Sequence, residues 1–489
     1  MDVHVSIDGP GDIATRIYRQ LLDAILDGRL RPGERLPASR ELARGLAVAR
    51  NTVAVAYERL AAEGFVVARV GAGTFVSTEP VTPPAAPRPP RPRAAPRGRA
   101  VRPRPIWDDV TPAVGPAAGP PPRYDFRVGT PDPTLFPFAT WRRLVAAELR
   151  ASAFHGAPGY GDPGGHAGLR AAVARYVGVS RSVRADAEGV LVTRGAQQAL
   201  DLVARVVTEP GDVVAVEDPG YPAARLLFRS HGARVVGVPV DGEGLVVDAL
   251  PAAARLVYVT PSHQFPLGTS MSPARRAALL AWAARRDAVV VEDDYDSEFR
   301  FGGRPLEPLQ SLDRAGRVVY VGTFSKTLLP MLRLGFLVAP AALRPALRAA
   351  GQLTDWHGEH VGQAALARLI DSGELARHVR RATRVYAERR DLVVAALRRD
   401  LVDRLDVVAS AAGLHLAARL RPGQAVDIDV VRERAAASGV AVESLAAYRS
   451  DGRPAQHGLV LGYGAVATAD VAEGLRLLAG CFRDARTRP

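Results

Sequence analysis

The sequence predicts two folded units of different class: a small helical unit closed by a hairpin, then a larger α/β unit on a mostly parallel sheet. Three observations predict this. Capped helical periodicity dominates residues 10–78, a tract without core-forming residues spans 79–123, and short apolar runs alternate with helical stretches from 124 onward. At 489 residues the chain is too long for one ordinary core. Its 47% hydrophobic content is enough for more than one.

In the first unit, residues 11–28 carry Ile13, Ile17, Leu21, Ala24 and Ile25 on one stripe and end at Gly28, which predicts an amphipathic helix. A second short helix fits Ser39 to Gly45, with Ser39 as its cap. A third runs from Arg50 to Glu63 and stops at Gly64. Two β-type runs follow, Phe65 to Ala68 and Thr74 to Ser77, joined by a turn at Gly71-Ala72-Gly73. Helix, helix, turn, helix and hairpin make a winged helix-turn-helix pattern.

The spacer holds fourteen prolines in residues 81–123, a composition that favours extended, polyproline-like chain. Eight arginines against Asp108 and Asp109 give it +6 of the net charge of +13. Residues 1–80 balance ten arginines against ten acidic residues, so the global charge says little about nucleic acid and local motifs must carry that argument. Cys481 is alone, which excludes an intrachain disulfide and a cysteine metal cluster. No apolar run is long enough for a membrane helix, and Asp2, Asp8 and Asp12 are unlike a signal peptide. The expectation is a soluble, cytoplasmic protein without a metal site or a membrane partner.

In the second unit the strand candidates are Val190 to Thr193, Val213 to Val216, Val235 to Val238, Leu256 to Thr260, Ala288 to Glu292, Val318 to Gly322 and Gly335 to Val338. Helical stretches such as Ala196 to Thr208 and Pro273 to Arg286 lie between them, as a parallel sheet requires. From about residue 360 a long helical region, Gly373 to Arg399, leads into a smaller mixed α/β part that runs to 489.

Among all these residues there is one lysine, Lys326, although lysine and arginine together number 64. Arginine replaces lysine wherever a solvated charge suffices, but it forms no imine with an aldehyde. Lys326 follows a predicted strand in Gly322-Thr323-Phe324-Ser325-Lys326-Thr327, with Arg333 close behind. An amine flanked by Thr323, Ser325 and Arg333 suits an aldehyde cofactor that also carries a phosphate. Gly195-Ala196-Gln197-Gln198 opens a helix directly after a strand, so its free N–H groups add an anion site. Asp293 ends an apolar strand, where an isolated carboxylate is costly unless it meets a cation such as a protonated pyridine nitrogen. Tyr295 is placed to reach a phenolic oxygen of the same ring, and Tyr221 to lie on its face. Together these residues point to pyridoxal 5'-phosphate.

Two resemblances extend the reading. Leu36-Pro37-Ala38-Ser39-Arg40-Glu41-Leu42, Arg50-Asn51-Thr52-Val53, Tyr57-Glu58-Arg59-Leu60, Glu63-Gly64 and Gly71-Ala72-Gly73-Thr74-Phe75-Val76 resemble the GntR family of bacterial regulators. That resemblance implies DNA contacts from Arg40, Arg50, Thr52 and Gly71, with Asn51 at a position that varies in the family. Residues 124 to about 480 resemble the fold type I aminotransferase domain through Tyr160-Gly161-Asp162-Pro163-Gly164-Gly165, Gly195-Ala196-Gln197-Gln198, Glu217-Asp218-Pro219-Gly220-Tyr221, Thr260-Pro261-Ser262-His263-Gln264, Glu292-Asp293-Asp294-Tyr295-Asp296 and Thr323-Phe324-Ser325-Lys326. The order of units is similar to the MocR-type subgroup of GntR regulators.

The resemblance implies that Lys326 forms the internal aldimine with pyridoxal phosphate, Asp293 meets the pyridine nitrogen, Tyr295 the phenolic oxygen and Tyr221 the ring. It places Ala196, Gln197, Thr323, Ser325 and Arg333 around the phosphate. Two departures stand out. Enzymes of this fold carry an Asn-Pro-Thr-Gly turn where this chain reads His263-Gln264-Phe265-Pro266-Leu267-Gly268, so Gln264 or His263 would have to meet the cofactor differently. Many also place the aspartate three residues before the tyrosine, which would select Glu292 over Asp293. The implied function is a homodimeric, operator-binding transcription regulator that senses pyridoxal phosphate or an amino acid. The alternative is a working aminotransferase with a DNA-binding appendage, for which Arg449 is a substrate-carboxylate candidate by location alone.

Overall fold

The structure is a computed structural model that describes residues 5–6, 12–69, 72–78, 102–108, 110, 121–150, 159–302, 306–450, 457–483 and 485. The chain divides into two compact units, residues 1–102 and 103–489, so the division falls within the proline- and arginine-rich tract. No described helix is long and apolar enough to cross a membrane.

The first unit holds α1 (Ile13–Leu26), α2 (Ser39–Gly45), α3 (Arg50–Ala62), β1 (Val66–Arg69) and β2 (Gly73–Val76). Asp12 caps α1 by accepting from the Thr15 backbone N–H at 3.0 Å, which starts the helix two residues after the sequence pattern does. Ser39 is the first helical residue of α2 rather than its cap, which is Ala38. Ile17, Leu21, Ala24, Leu36, Val53, Ala56, Leu60 and Val76 close one core. Tyr57 enters that core and keeps its hydroxyl paired by donating to the Pro37 carbonyl at 3.0 Å. β1 and β2 pair antiparallel from Val66 opposite Val76 to Arg69 opposite Gly73.

The second unit begins with the short β3 (Tyr124–Asp125) and is organised by an eight-stranded sheet. Its strands are β4 (Val190–Thr193), β5 (Val213–Asp218), β6 (Arg234–Asp241), β7 (Gly244–Leu245), β8 (Ala254–Val259), β9 (Val289–Asp294), β10 (Val318–Thr323) and β11 (Gly335–Val338). The spatial order is β4-β11-β10-β9-β8-β5-β6-β7. β10, β9, β8, β5 and β6 run parallel, whereas β11 is antiparallel to both neighbours and β7 closes the edge antiparallel to β6. Every residue of β5, β9 and β10 is buried, the mark of strands covered on both faces. Helices Ala196–Val207 and Pro273–Arg286 pack on separate apolar clusters of this sheet.

The 27-residue helix Glu374–Asp400 leads to a four-stranded sheet of β12 (Leu405–Val407), β13 (His415–Leu420), β15 (Glu443–Ser444) and β16 (Gly458–Gly462). β14 (Val440–Ala441) pairs instead with β3. A buried ion pair, Asp132 with Arg389 at 2.5 Å, ties the start of this unit to the long helix, and Arg389 also donates to the Gly464 carbonyl at 2.7 Å.

Candidate functional site

The C-terminal ends of the central parallel strands converge on Lys326. β10 ends at Thr323, and Asp293 stands opposite Val321 on the neighbouring strand, so the register brings the aspartate beside the strand that leads to the lysine. The Lys326 amine is withdrawn from bulk solvent and donates to the Gly129 carbonyl at 2.6 Å. Burial lowers its pKa, opposed by the charges of Asp296 and Asp293. An amine shifted toward its neutral form is the better nucleophile.

Asp293 is 4% exposed. Its Oδ2 accepts from the Tyr258 hydroxyl at 2.8 Å, while Oδ1 is buried without a hydrogen-bond partner among the described residues. Burial pushes its pKa up to about 7, against the pull of the Tyr258 hydrogen bond. A buried carboxylate with one oxygen unanswered is a site that a cation satisfies. Strand alternation turns Glu292 the other way, where it accepts from the backbone N–H groups of Leu309 and Gln310, both at 2.9 Å. Glu292 is committed to the fold; Asp293 retains a free acceptor.

A second pocket of polarity forms where β4 turns into helix Ala196–Val207. Gly195 caps that helix with no side-chain hydrogen bond, leaving the first N–H groups, those of Ala196 and Gln197 among them, open at its end. Gly195 has φ +89°, and a Cβ there would lie 3.4 Å from the Arg333 guanidinium. A Cβ on Gly335 would stand 2.6 Å from the Gly195 Cα, so these two glycines let β11 and the helix start close onto one another. Arg333 is exposed and makes no ion pair among the described residues. Thr323 and Ser325 join their hydroxyls at 2.9 Å. A cavity of about 240 Å³ beside Arg333 is lined by Arg194, Gln198 and Asp355, but Lys326 and Asp293 do not line it.

Tyr221 caps helix Pro222–Ser230 and is 36% exposed, with its ring edge-on to Phe265 at 5.6 Å. Asp293 and Arg333 are both near enough to influence its phenol electrostatically. Tyr295 donates to the His263 carbonyl at 3.0 Å, and burial is the largest cause of its raised pKa.

Of the departures noted in the sequence, Gln264 proves structural. Its amide donates to the Pro219 and Phe265 carbonyls at 2.9 and 2.7 Å, and its Oε1 accepts from Leu267 N–H at 3.1 Å. His263 is the residue that touches Tyr295, also through Nδ1 at 3.0 Å. Arg449 faces Asp218 at 3.7 Å with its side chain 13% exposed, so it already has a carboxylate partner inside the chain. Tyr258 and His415 went unnoticed in the sequence, and Phe265 was read only as part of the departing turn. The signal for Tyr258 was a hydroxyl within a buried apolar strand; for His415, far in sequence from the His263 and Tyr295 rings it lies beside, there was none.

In the first unit, Arg40, Arg50 and Asn51 are exposed and Thr52 is half-buried. Arg50 begins α3, whose cap residue Ala49 offers no side-chain acceptor, so the helix N-terminus is open. The predicted contact at Gly71 lies outside the described residues.

Comparison with known proteins gives two family matches: residues 13–76 to "Bacterial regulatory proteins, gntR family" and residues 133–454 to "Aminotransferase class I and II". The chain is 39% identical to the probable rhizopine catabolism regulatory protein MocR of Rhizobium meliloti, over 96% of this chain and 93% of that one. It is 34% identical to the pyridoxine biosynthesis transcriptional regulator PdxR of Corynebacterium glutamicum, over 93% and 92%. Among solved structures, α-aminoadipate aminotransferase LysN of Thermus thermophilus, complexed with N-(5'-phosphopyridoxyl)-L-leucine, superposes with a TM-score of 0.66 at 34% identity, covering 73% of this chain and 92% of that one.

Proposed function

The chain belongs to the MocR-type subgroup of the GntR family of transcription regulators, and from that premise we propose that residues 124–489 bind pyridoxal 5'-phosphate at Lys326 and so set the DNA affinity of residues 10–78. One observation carries the reading: the only lysine holds its amine out of solvent, within electrostatic reach of Asp293, a buried aspartate with an unanswered oxygen. Asp293 would pair with the pyridine nitrogen, Tyr295 with the phenolic oxygen, and Tyr221 would cover the ring. The N–H groups of Ala196 and Gln197, the hydroxyls of Thr323 and Ser325, and Arg333 would hold the phosphate. Bound there, the cofactor supplies an aldehyde that combines with amines, so an amino acid is a fitting effector alongside the cofactor itself.

For DNA, the open N-terminus of α3 with Arg50, Asn51 and Thr52 is the part shaped for a major groove, and Arg40 for a backbone phosphate. Gly71 belongs to the proposed wing. A homodimer would present two such modules to paired half-sites and gain avidity from the linkage.

Coupling needs a ligand that favours one arrangement over another. A spacer residue at the start of this unit supplies a point of attachment: Arg104 donates to the Ser230 carbonyl at 2.9 Å, at the far end of the helix that Tyr221 caps. A shift of Tyr221 against a bound ring would be passed by one short helix to the place where the spacer leaves this unit. Operator binding measured with and without pyridoxal phosphate tests the reading. A cofactor-dependent change in affinity that disappears in Lys326→Ala is expected, and an identical response in both proteins would refute it.

A further inference from the structure

The cluster behind Tyr295 has no part in the roles assigned so far. His263 is 2% exposed, and its Nδ1 lies 3.0 and 3.1 Å from the two oxygens of Asp296, itself 1% exposed. Its Nε2 is 3.0 Å from Ser410 Oγ, which donates to the Ala412 carbonyl at 3.0 Å. Asp296 also accepts from the Leu414 N–H at 3.2 Å. Two glycines in left-handed conformations clear the space: a Cβ on Gly413 would stand 2.3 Å from His263 Nδ1 and 2.4 Å from Asp296 Oδ2, and one on Gly268 3.2 Å from His263 Nε2. Backbone at Gly413 and Gly268 lies close to the Nδ1 and Nε2 atoms of the histidine ring.

The hydrogen bonds fix where the protons go. A carboxylate only accepts, so Nδ1 facing Asp296 carries a hydrogen. The Tyr295 hydroxyl lies 3.0 Å from the same nitrogen and 3.0 Å from the His263 carbonyl. Its single proton goes to the carbonyl, and its oxygen is left as an acceptor for the Nδ1–H that it shares with Asp296. A hydroxyl that accepts from one donor gives its own proton more strongly to the next acceptor. Both Tyr295 contacts are therefore made by one residue.

We propose that His263, held by Asp296, is the positioning residue for the Tyr295 hydroxyl, fixing its oxygen so that its single proton turns from the His263 carbonyl to the ring oxygen of bound pyridoxal phosphate. The inference rests on the reading of this site as the cofactor pocket. In that role His263 stands in for the missing asparagine at one remove, acting through the tyrosine. The other charged or titratable groups around the tyrosine and this pair are Asp293, Glu217, Lys326, Tyr463 and His415. Tyr463 donates to the Gly413 carbonyl at 2.9 Å. His415, its ring 4.7 Å from that of His263, is kept neutral by burial and adds no competing charge.

The test is the pH midpoint of the visible absorbance of the full chain loaded with pyridoxal phosphate. A donor to a phenolate stabilises the deprotonated form, so weakening it raises the midpoint. His263→Leu should raise it by about one pH unit, a tenfold change in proton affinity. His263→Ala, which removes the Nδ1 donor and needs no added space, gives the same comparison where leucine does not fold. Because the histidine acts through the tyrosine, His263→Ala combined with Tyr295→Phe should shift the midpoint no further than Tyr295→Phe alone. An unchanged midpoint in the histidine variants, or shifts that add in the double variant, would overturn the proposal. A wild-type chain that takes up no cofactor would instead overturn the reading of the site, and this inference with it.

Discussion

Replacing Asp293 by asparagine should have opposite effects on the empty and the loaded protein. In the empty protein the Asp293 carboxyl has a pKa of about 7, raised by burial, against about 3.9 in an unfolded chain. Between about pH 4 and 7 the folded state therefore holds a proton that the unfolded state has released, and stability from this group falls as pH rises through that interval. Asparagine keeps an acceptor for the Tyr258 hydroxyl, 2.8 Å away in the native chain, and removes the charge. The cost lifted is that of ionising a buried carboxyl, about three pH units at about 1.4 kcal/mol each, or about 4 kcal/mol once pH exceeds 7. Glu217, Glu292 and Glu298 have pKa values raised to about 7 by the same cause, so only the difference between variant and wild type isolates Asp293. That difference should be small at pH 4 and should grow to favour the variant by pH 8 in denaturant titrations of cofactor-free protein. In the loaded protein the proposed charge-assisted bond to a pyridine nitrogen would be lost, a cost of about 1.5–3 kcal/mol or roughly 10- to 100-fold in Kd. Equal pH dependence in the two proteins together with unchanged cofactor affinity would refute the argument.

Three further outcomes are expected. Arg333→Ala removes the guanidinium beside Gly195 at the helix start and should weaken pyridoxal phosphate far more than pyridoxal, which equilibrium titration of the two compounds would reveal. Arg50→Ala should weaken operator binding and flatten its salt dependence by about one unit of slope, with the visible cofactor spectrum intact, as binding isotherms at several salt concentrations would show. Leu60→Ala empties a fully buried position in the first unit and should cost about 2–5 kcal/mol, read as loss of DNA binding at lower urea while cofactor absorbance is retained.

The elements that bury on both faces were readable because apolar runs such as Val289-Val290-Val291 and Val318-Val319-Tyr320-Val321 leave few alternatives. Lys326 was readable because the rest of the chain uses arginine. The choice between Glu292 and Asp293 was open in the sequence, since two adjacent acids on one strand differ only in which face they meet; the backbone N–H groups of Leu309 and Gln310 take Glu292. The arrangement of Asp296, His263 and Ser410 was hidden because Ser410 is 147 residues from His263, and a hydrogen bond across that separation has no local pattern. The Asp132–Arg389 pair, 257 residues apart, was invisible for the same reason. β11 runs antiparallel to β10 and closes against the helix start where Gly335 meets Gly195, and neither strand length nor composition distinguishes it from its parallel neighbours.

The central claim, that this regulator holds pyridoxal phosphate on its one lysine, is met most directly by borohydride reduction of the cofactor-loaded chain followed by peptide mass mapping. Reduction turns an imine into a stable amine, so the cofactor should remain on the peptide containing Lys326, one equivalent per chain, and Lys326→Ala should retain none. A wild-type chain that releases all its cofactor after reduction, or a variant labelled as fully as the wild type, would contradict the account.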